Sequence, residues 1–140
     1  MLRIGLMKEE QELQERAYTI LNNLELIQFA DQSCEGLPFG TMKRIELARA
    51  LINEPKLLLL DEPATGLNHS EVNELSHLIK TIRDEYELTI LLVEHHMGMV
   101  MGISDRVVVL DFGSKIAEGA PHEIQQNTAV INAYLGVSND

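Results

Sequence analysis

Hydrophobic residues first recur along the chain with a helical period. Between Lys8 and Gln28, Leu13, Ala17, Ile20, Leu24 and Ile27 are spaced three and four apart, with Glu9, Glu10 and Glu12 near the start. That spacing predicts an amphipathic helix whose acidic groups meet the positive end of the helix dipole. Ser33 to Gly40 breaks the pattern with Gly36, Pro38 and Gly40. A second helix is predicted from about Thr41 to Ile52, where Met42, Ile45, Ala48 and Ile52 share a face and Pro55 forbids continuation. Leu57–Leu60 is an unbroken apolar run between Pro55 and Pro63, too short for a helix and without alternation. It reads as a strand buried on both faces of a parallel sheet. Asn68 with Glu71 forms a capping box, and Val72, Leu75, Ile79 and Ile82 mark a helix ending near Asp84.

Leu88–Val93 is a second buried strand, and the order strand, helix, strand predicts a right-handed parallel crossover in an α/β domain. After a Met- and Gly-rich stretch, Val107–Leu110 makes a third strand. Asp111 to Ser114 turns it into a short partner around Lys115 to Glu118, a small hairpin. Ile124, Val130, Ile131, Tyr134 and Leu135 suit one or two short helices.

Length and composition narrow the class. A chain of 140 residues, 45% apolar and 24% charged, suits one globular domain rather than a disordered or collagen-like one. Its net charge of −11 repels phosphate backbones, and no basic patch is visible, so autonomous nucleic-acid binding is not expected. The single cysteine, Cys34, cannot form an internal disulfide, which fits a reducing compartment, and it reads as a small semi-buried residue. Met1 to Lys8 is too short and too quickly acidic for a secretory signal, and no apolar run approaches membrane-spanning length.

Candidate chemistry gathers at the carboxyl ends of the strands, where open α/β sheets bind ligands. The first strand ends in Asp61-Glu62-Pro63. One carboxylate there can hold Mg²⁺ through its water shell while the other polarises an attacking water; a solvated acidic turn is the competing reading. The second strand ends in Glu94-His95-His96. A histidine at that place can hydrogen-bond a phosphate oxygen or shuttle a proton. Neighbouring residues of an extended chain point to opposite sides, so His95 and His96 are not expected to capture a metal together. His69, His77 and His122 read as surface residues. Finally, the turn Gly36 to Thr41 runs into a helix start whose amide groups suit an anion, although an ordinary loop has the same look.

Taken together, the segments from about Lys8 to Gly136 resemble the C-terminal half of an ATP-binding cassette (ABC) ATPase. Leu37-Pro38-Phe39-Gly40-Thr41 and the helix through Leu51 resemble the signature motif, Leu57–Glu62 the Walker B strand, Thr65-Gly66-Leu67-Asn68 the D-loop and His95 the switch histidine. The finer resemblance is to the ATP-binding subunits of branched-chain amino-acid importers, through Val93 to Met97, Gly102 to Arg106 and Ala133 to Gly136. The resemblance implies catalytic roles for Glu62, as general base, and His95, at the γ-phosphate. It implies Mg²⁺ coordination by Asp61 and ATP contacts from Leu37, Pro38, Phe39, Gly40, Thr41, Gly66 and Asn68. It further implies a second ABC ATPase subunit, docked head to tail, and permease subunits holding the assembly on the cytoplasmic face of a membrane. Departures are Pro38, Phe39 and Thr41 where Ser, Gly and Gln are usual, Asn68 where Asp is commoner, and His96 where Asp is frequent.

No G-x-x-x-x-G-K-[ST] loop occurs in the sequence. Because phosphoryl transfer depends on clamping the whole triphosphate, ATP and Mg²⁺ binding are expected to require that loop, and this chain is not expected to hydrolyse ATP alone. The expected fold is a partial P-loop NTPase of the ABC kind, parallel strands with helices plus a C-terminal hairpin and without the Walker A strand, about half of a larger domain. Its expected parts are residues 1–55 (end of a helical subdomain and signature helix), 56–119 (Walker B to switch-histidine core and hairpin) and 120–140 (helical tail). In the family the Walker A strand lies beside the switch-histidine strand, so Leu88–Val93 is expected to have an unpaired apolar edge. An alternative function is a non-catalytic partner or regulatory module that supplies a signature turn to a complete subunit.

Overall fold

The computed structural model describes the backbone of residues 2–134 and the side chains of residues 8–134. Leu135 and Gly136, which the sequence reading assigned to the tail and to the family resemblance, lie outside the described residues. The chain divides into two compact units, Met1–Val93 and Glu94–Asp140.

The first unit holds α1 (Leu2–Asn23), a 3₁₀ turn (Ile27–Phe29), α2 (Phe39–Leu51), β1 (Leu57–Asp61), α3 (His69–Glu85) and β2 (Thr89–Val93). The first helix begins before Lys8 and stops at Asn23, short of the expected Gln28. Its end is a Schellman arrangement: Glu25 takes a left-handed φ of 56°, Glu25 N–H donates to Asn22 and Leu26 N–H to Leu21. That geometry turns Leu24 and Leu26 fully inward and leaves Ile27 exposed; Leu13, midway along the helix, is exposed as well. The third helix ends the same way, with Glu87 at φ 50° and Leu88 N–H bonded to Arg83 O. Its start is the expected capping box: Asn68 Oδ1 accepts from Glu71 N–H at 3.1 Å, and Glu71 Oε2 accepts from Asn68 N–H at 2.8 Å. Val72, Leu75, Ile79 and Ile82 are all buried.

β1 and β2 pair in parallel, Leu57 opposite Thr89 through Asp61 opposite Val93. The expectation of burial on both faces is corrected: Leu57, Leu59, Leu91 and Val93 are each more than half exposed, while Leu58 on the other face is buried. One β–α–β crossover supplies a helix to one face only, and a face clothed in leucine does not by that fact acquire a cover. Among the described residues β2 pairs with no strand but β1. Cys34, expected to be semi-buried, is exposed in the loop before α2, because that loop contributes no residue to the core.

The second unit holds α4 (Met97–Ile103), β3 (Val107–Asp111), β4 (Ser114–Gly119), α5 (Pro121–Gln125) and α6 (Thr128–Tyr134). β3 and β4 form the expected antiparallel hairpin. Its two-residue loop has both members left-handed, Phe112 at φ 44° and Gly113 at φ 78°, as the strand twist favours. Val107, Val109, Ile124 and Val130 make its core. Among the described residues no helix is long and apolar enough to cross a membrane.

Candidate functional site

Within the first unit, the parallel pair brings Asp61 to the carboxyl end of β1, where its backbone is in register with Val93. Glu62 follows with a left-handed φ of 43°, which turns the chain off the strand, and its N–H still donates to Val93 O at 2.8 Å. Its Oε2 accepts from the Thr65 hydroxyl at 3.1 Å. Thr65 N–H bonded to Glu62 O and Leu67 N–H bonded to Ala64 O fold residues 62–68 into successive turns, anchored by the buried Pro63 and Ala64. Gly66 sits at φ 84°, a conformation that side chains resist. Asn68, expected to touch nucleotide, uses its side-chain oxygen to cap α3.

The signature-like turn comes to this same loop. Pro38 is the N-cap of α2 and carries no hydroxyl to cap it; the first intrahelical bond runs from Met42 N–H to Pro38 O. The amides of Phe39, Gly40 and Thr41 therefore precede the helical ladder, a start whose dipole suits an anion. A methyl group placed on Gly66 would lie 3.0 Å from Phe39 Cε1, and one placed on Gly40 would lie 3.5 Å from Glu71 Oε1. Glu71, whose carboxylate completes the capping of α3, thus stands beside the start of α2. A cavity of about 300 Å³ opens here, lined by Pro38, Gly40, Thr41, Arg44, Leu67 and Glu71 among others. Leu37 is half-buried at the base of the turn and Pro38 exposed.

The second unit carries His95 and His96. Glu94, whose carboxylate is fully buried, accepts from the N–H groups of His95 at 3.0 Å and His96 at 3.2 Å. His95 Nδ1 lies 3.9 Å from the same oxygen, and its side chain is 62% exposed. The expectation that His95 and His96 point apart is corrected: their rings stack at 5.2 Å with a 26° interplanar angle. The alternation rule fails because β2 has ended at Val93 and His96 is already the N-cap of α4. Among the described residues no three His, Cys, Asp or Glu side chains group as a metal cage. One or two exposed carboxylates at a strand end fit the demands of Mg²⁺, which keeps its waters and takes its remaining ligands from phosphate; Asp61 and Glu62 have that character.

Sequence reading passed over Arg44. Its guanidinium bridges Glu25 at 2.9 Å and Glu74 at 3.4 Å, tying the end of α1 to α2 and α3. The partners stand 19 and 30 residues away, so no local spacing announces them.

A family model for ABC transporters matches residues 2–65, and one for branched-chain amino acid ATP-binding cassette transporters matches residues 114–139. The chain is 44% identical over 129 residues to the high-affinity branched-chain amino acid transport ATP-binding protein LivG of Salmonella typhimurium, covering 92% of this chain and 51% of that protein. It is 43% identical, with the same coverage, to the corresponding protein BraF of Pseudomonas aeruginosa. Among solved structures, the ADP conformation of MJ1267, an ATP-binding cassette of an ABC transporter, matches with a TM-score of 0.80 at 29% identity, covering 89% of this chain and 50% of that one. CbiO1 of Clostridium perfringens, part of the ABC transporter complex cbiONQ, matches with a TM-score of 0.79 at 32% identity, covering 88% and 49%. The chain spans about half the length of the relatives it matches.

Proposed function

This chain belongs to the ABC transporter ATP-binding family, and from that premise we propose that it is the C-terminal part of the ATP-binding subunit of a branched-chain amino-acid importer. The importer identity rests on relatives that carry that name along 92% of the chain. The observation that carries the chemistry is the meeting of the strand-end carboxylates, the loop after them and the signature-like turn in one unit. Asp61 would hold Mg²⁺ through its water shell, and the ion when bound would neutralise phosphate charge. Glu62 takes the proton of the attacking water, and its contact with the Thr65 hydroxyl steers the carboxylate. His95 offers a ring nitrogen to the γ-phosphate, steadied by Glu94, which fixes its backbone. The amides of Phe39, Gly40 and Thr41, backed by the α2 dipole, face the phosphates of ATP carried by a second subunit. Gly66 and Asn68 shape the loop beside them.

Turnover in this reading requires a G-x-x-x-x-G-K-[ST] loop, which the 140 residues do not contain, so the chain acts with a segment or subunit that has one. Permease subunits hold the assembly at the cytoplasmic face of the membrane. The test mixes the purified chain with a P-loop-bearing ABC subunit and measures ATP turnover. Turnover above that of the second subunit alone is expected, and Glu62→Gln is expected to lower it about 10²- to 10⁴-fold. No gain from a chain shown folded by circular dichroism overturns the reading. A gain that Glu62→Gln leaves intact would instead identify a non-catalytic module that lends only its signature turn.

A further inference from the structure

The position where the signature pattern usually has glycine is occupied here by Phe39, whose ring is about half exposed and rests one edge against Gly66. Its Cε1, Cζ and Cδ1 atoms would stand 3.0, 3.5 and 3.6 Å from a methyl group on Gly66. One helical turn on, Lys43 places its ammonium 5.3 Å from the ring centroid and reaches Glu46 at 3.3 Å. The helix thus holds the ring through a cation–π contact while the ring edge rests on the 62–68 loop. Glycine suits position 66 because of its φ of 84°, and a methyl group there would press on the ring. Behind the two segments α2 and α3 are also in contact, through Arg44 on Glu74 and the carboxylate of Glu71 beside Gly40.

The geometry points to Phe39 as a positioning residue that clamps the signature-like turn to the D-loop-like segment, so that the amides of residues 39–41 and the loop carrying Gly66 and Asn68 move as one body. The clamp deepens the functional reading above and rests on it for its consequence in turnover. With glycine at position 39 there would be no ring, and this contact between the turn and the loop would be lost. A turn and a loop that move together arrive at a nucleotide in a fixed relation, which is how positioning lowers a barrier without touching the reacting atoms.

Amide hydrogen exchange of the full chain, read by mass spectrometry without nucleotide, tests the clamp directly. Phe39→Ala is expected to raise exchange about tenfold in both residues 37–42 and 63–68, to leave 121–134 as in the parent, and Phe39→Tyr to restore both segments. Gly66→Ala, which displaces the ring from the other side, is expected to loosen 37–42 although Phe39 is unchanged. Loosening of 37–42 alone in Phe39→Ala, or parental exchange there in Gly66→Ala, overturns the proposal. Should Phe39→Ala not fold, Phe39→Leu, which keeps bulk and loses the cation–π contact, decides: loosening of both segments supports the clamp, and loosening of one or of neither overturns it.

In the mixed assembly, Phe39→Ala is expected to lower kcat about tenfold with KM for ATP unchanged. Absence of turnover from the parental mixture counts against the functional reading and leaves the exchange result to decide the clamp. Unchanged kcat with both segments loosened overturns the positioning role.

Discussion

Glu118 stands on β4 with Lys115 three residues before it, bonded at 2.7 Å, and Arg106 against its other oxygen. The hydrogen bond from Lys115 is the largest influence, followed by the charge of Arg106, and together they hold the Glu118 carboxyl below its ordinary value of 4.5. A depressed folded-state pKa means stability that is present above the ordinary value and is lost as pH falls through the folded one. The unfolding midpoint in urea is therefore expected to drop on acidification below about 4.5, and Glu118→Gln to remove that part of the fall. Midpoints of parent and variant that run parallel from neutral pH into acid would contradict the assignment. The pair faces water, so added salt weakens the effect. At this same scale lies the least legible part of the candidate site. Asp61, Glu62 and His95 are named by their place at strand ends, whereas the bridge from Arg44 to Glu25 and Glu74 depends on partners that no neighbouring residue betrays.

Helices and turns were legible where they are built from local signals. The capping box at Asn68 and Glu71 follows from side chains three apart, and the apolar stripe of α3 from a repeat of three and four. Helix ends were less legible. Chain reversals after α1, α2 and α3 place Glu25, Glu54 and Glu87 at left-handed φ, positions where glycine or asparagine is the usual sign. A glutamate there costs about 1–2 kcal/mol against glycine in the folded state, offset in part by the greater unfolded-state freedom of glycine. Glu87 is exposed, and glycine at its place keeps the bond from Leu88 N–H to Arg83 O. Glu87→Gly is expected to stabilise the first unit by about 0.5–1 kcal/mol, read as a higher urea midpoint at unchanged m. A lower midpoint would mean that the carboxylate itself contributes to the reversal.

For the molecule as a whole, the decisive feature is the uncovered leucine face of the β1–β2 pair. Leu59 and Leu91 are 64% and 59% exposed, and β2 offers an edge with no strand beside it among the described residues. Apolar surface next to an open edge favours self-association, with hydrophobic contact and backbone pairing acting together. Leu59→Lys with Leu91→Lys is expected to lower the weight-average mass in sedimentation at high concentration, while the urea midpoint changes by no more than about 0.5 kcal/mol. A large loss of stability would show that both side chains are buried in the folded monomer. The net charge of −11 opposes association in the parent, so raising salt is expected to widen the difference between parent and variant.

From the sequence came the two paired strands with the helix between them, the capping of α3, the hairpin and the motif-bearing positions; the short helix α4 in the Met- and Gly-rich stretch and the 3₁₀ turn did not. The features that came from it depend on backbone hydrogen bonding and side-chain period within a few residues. The packing of distant segments decided which leucines are covered, that Phe39 rests on Gly66 and that Arg44 reaches Glu25 and Glu74. Burial and contact belong to pairs of surfaces far apart in the chain, and a run of like residues such as Leu57–Leu60 is equally suited to a covered or an open face until another element comes to lie against it.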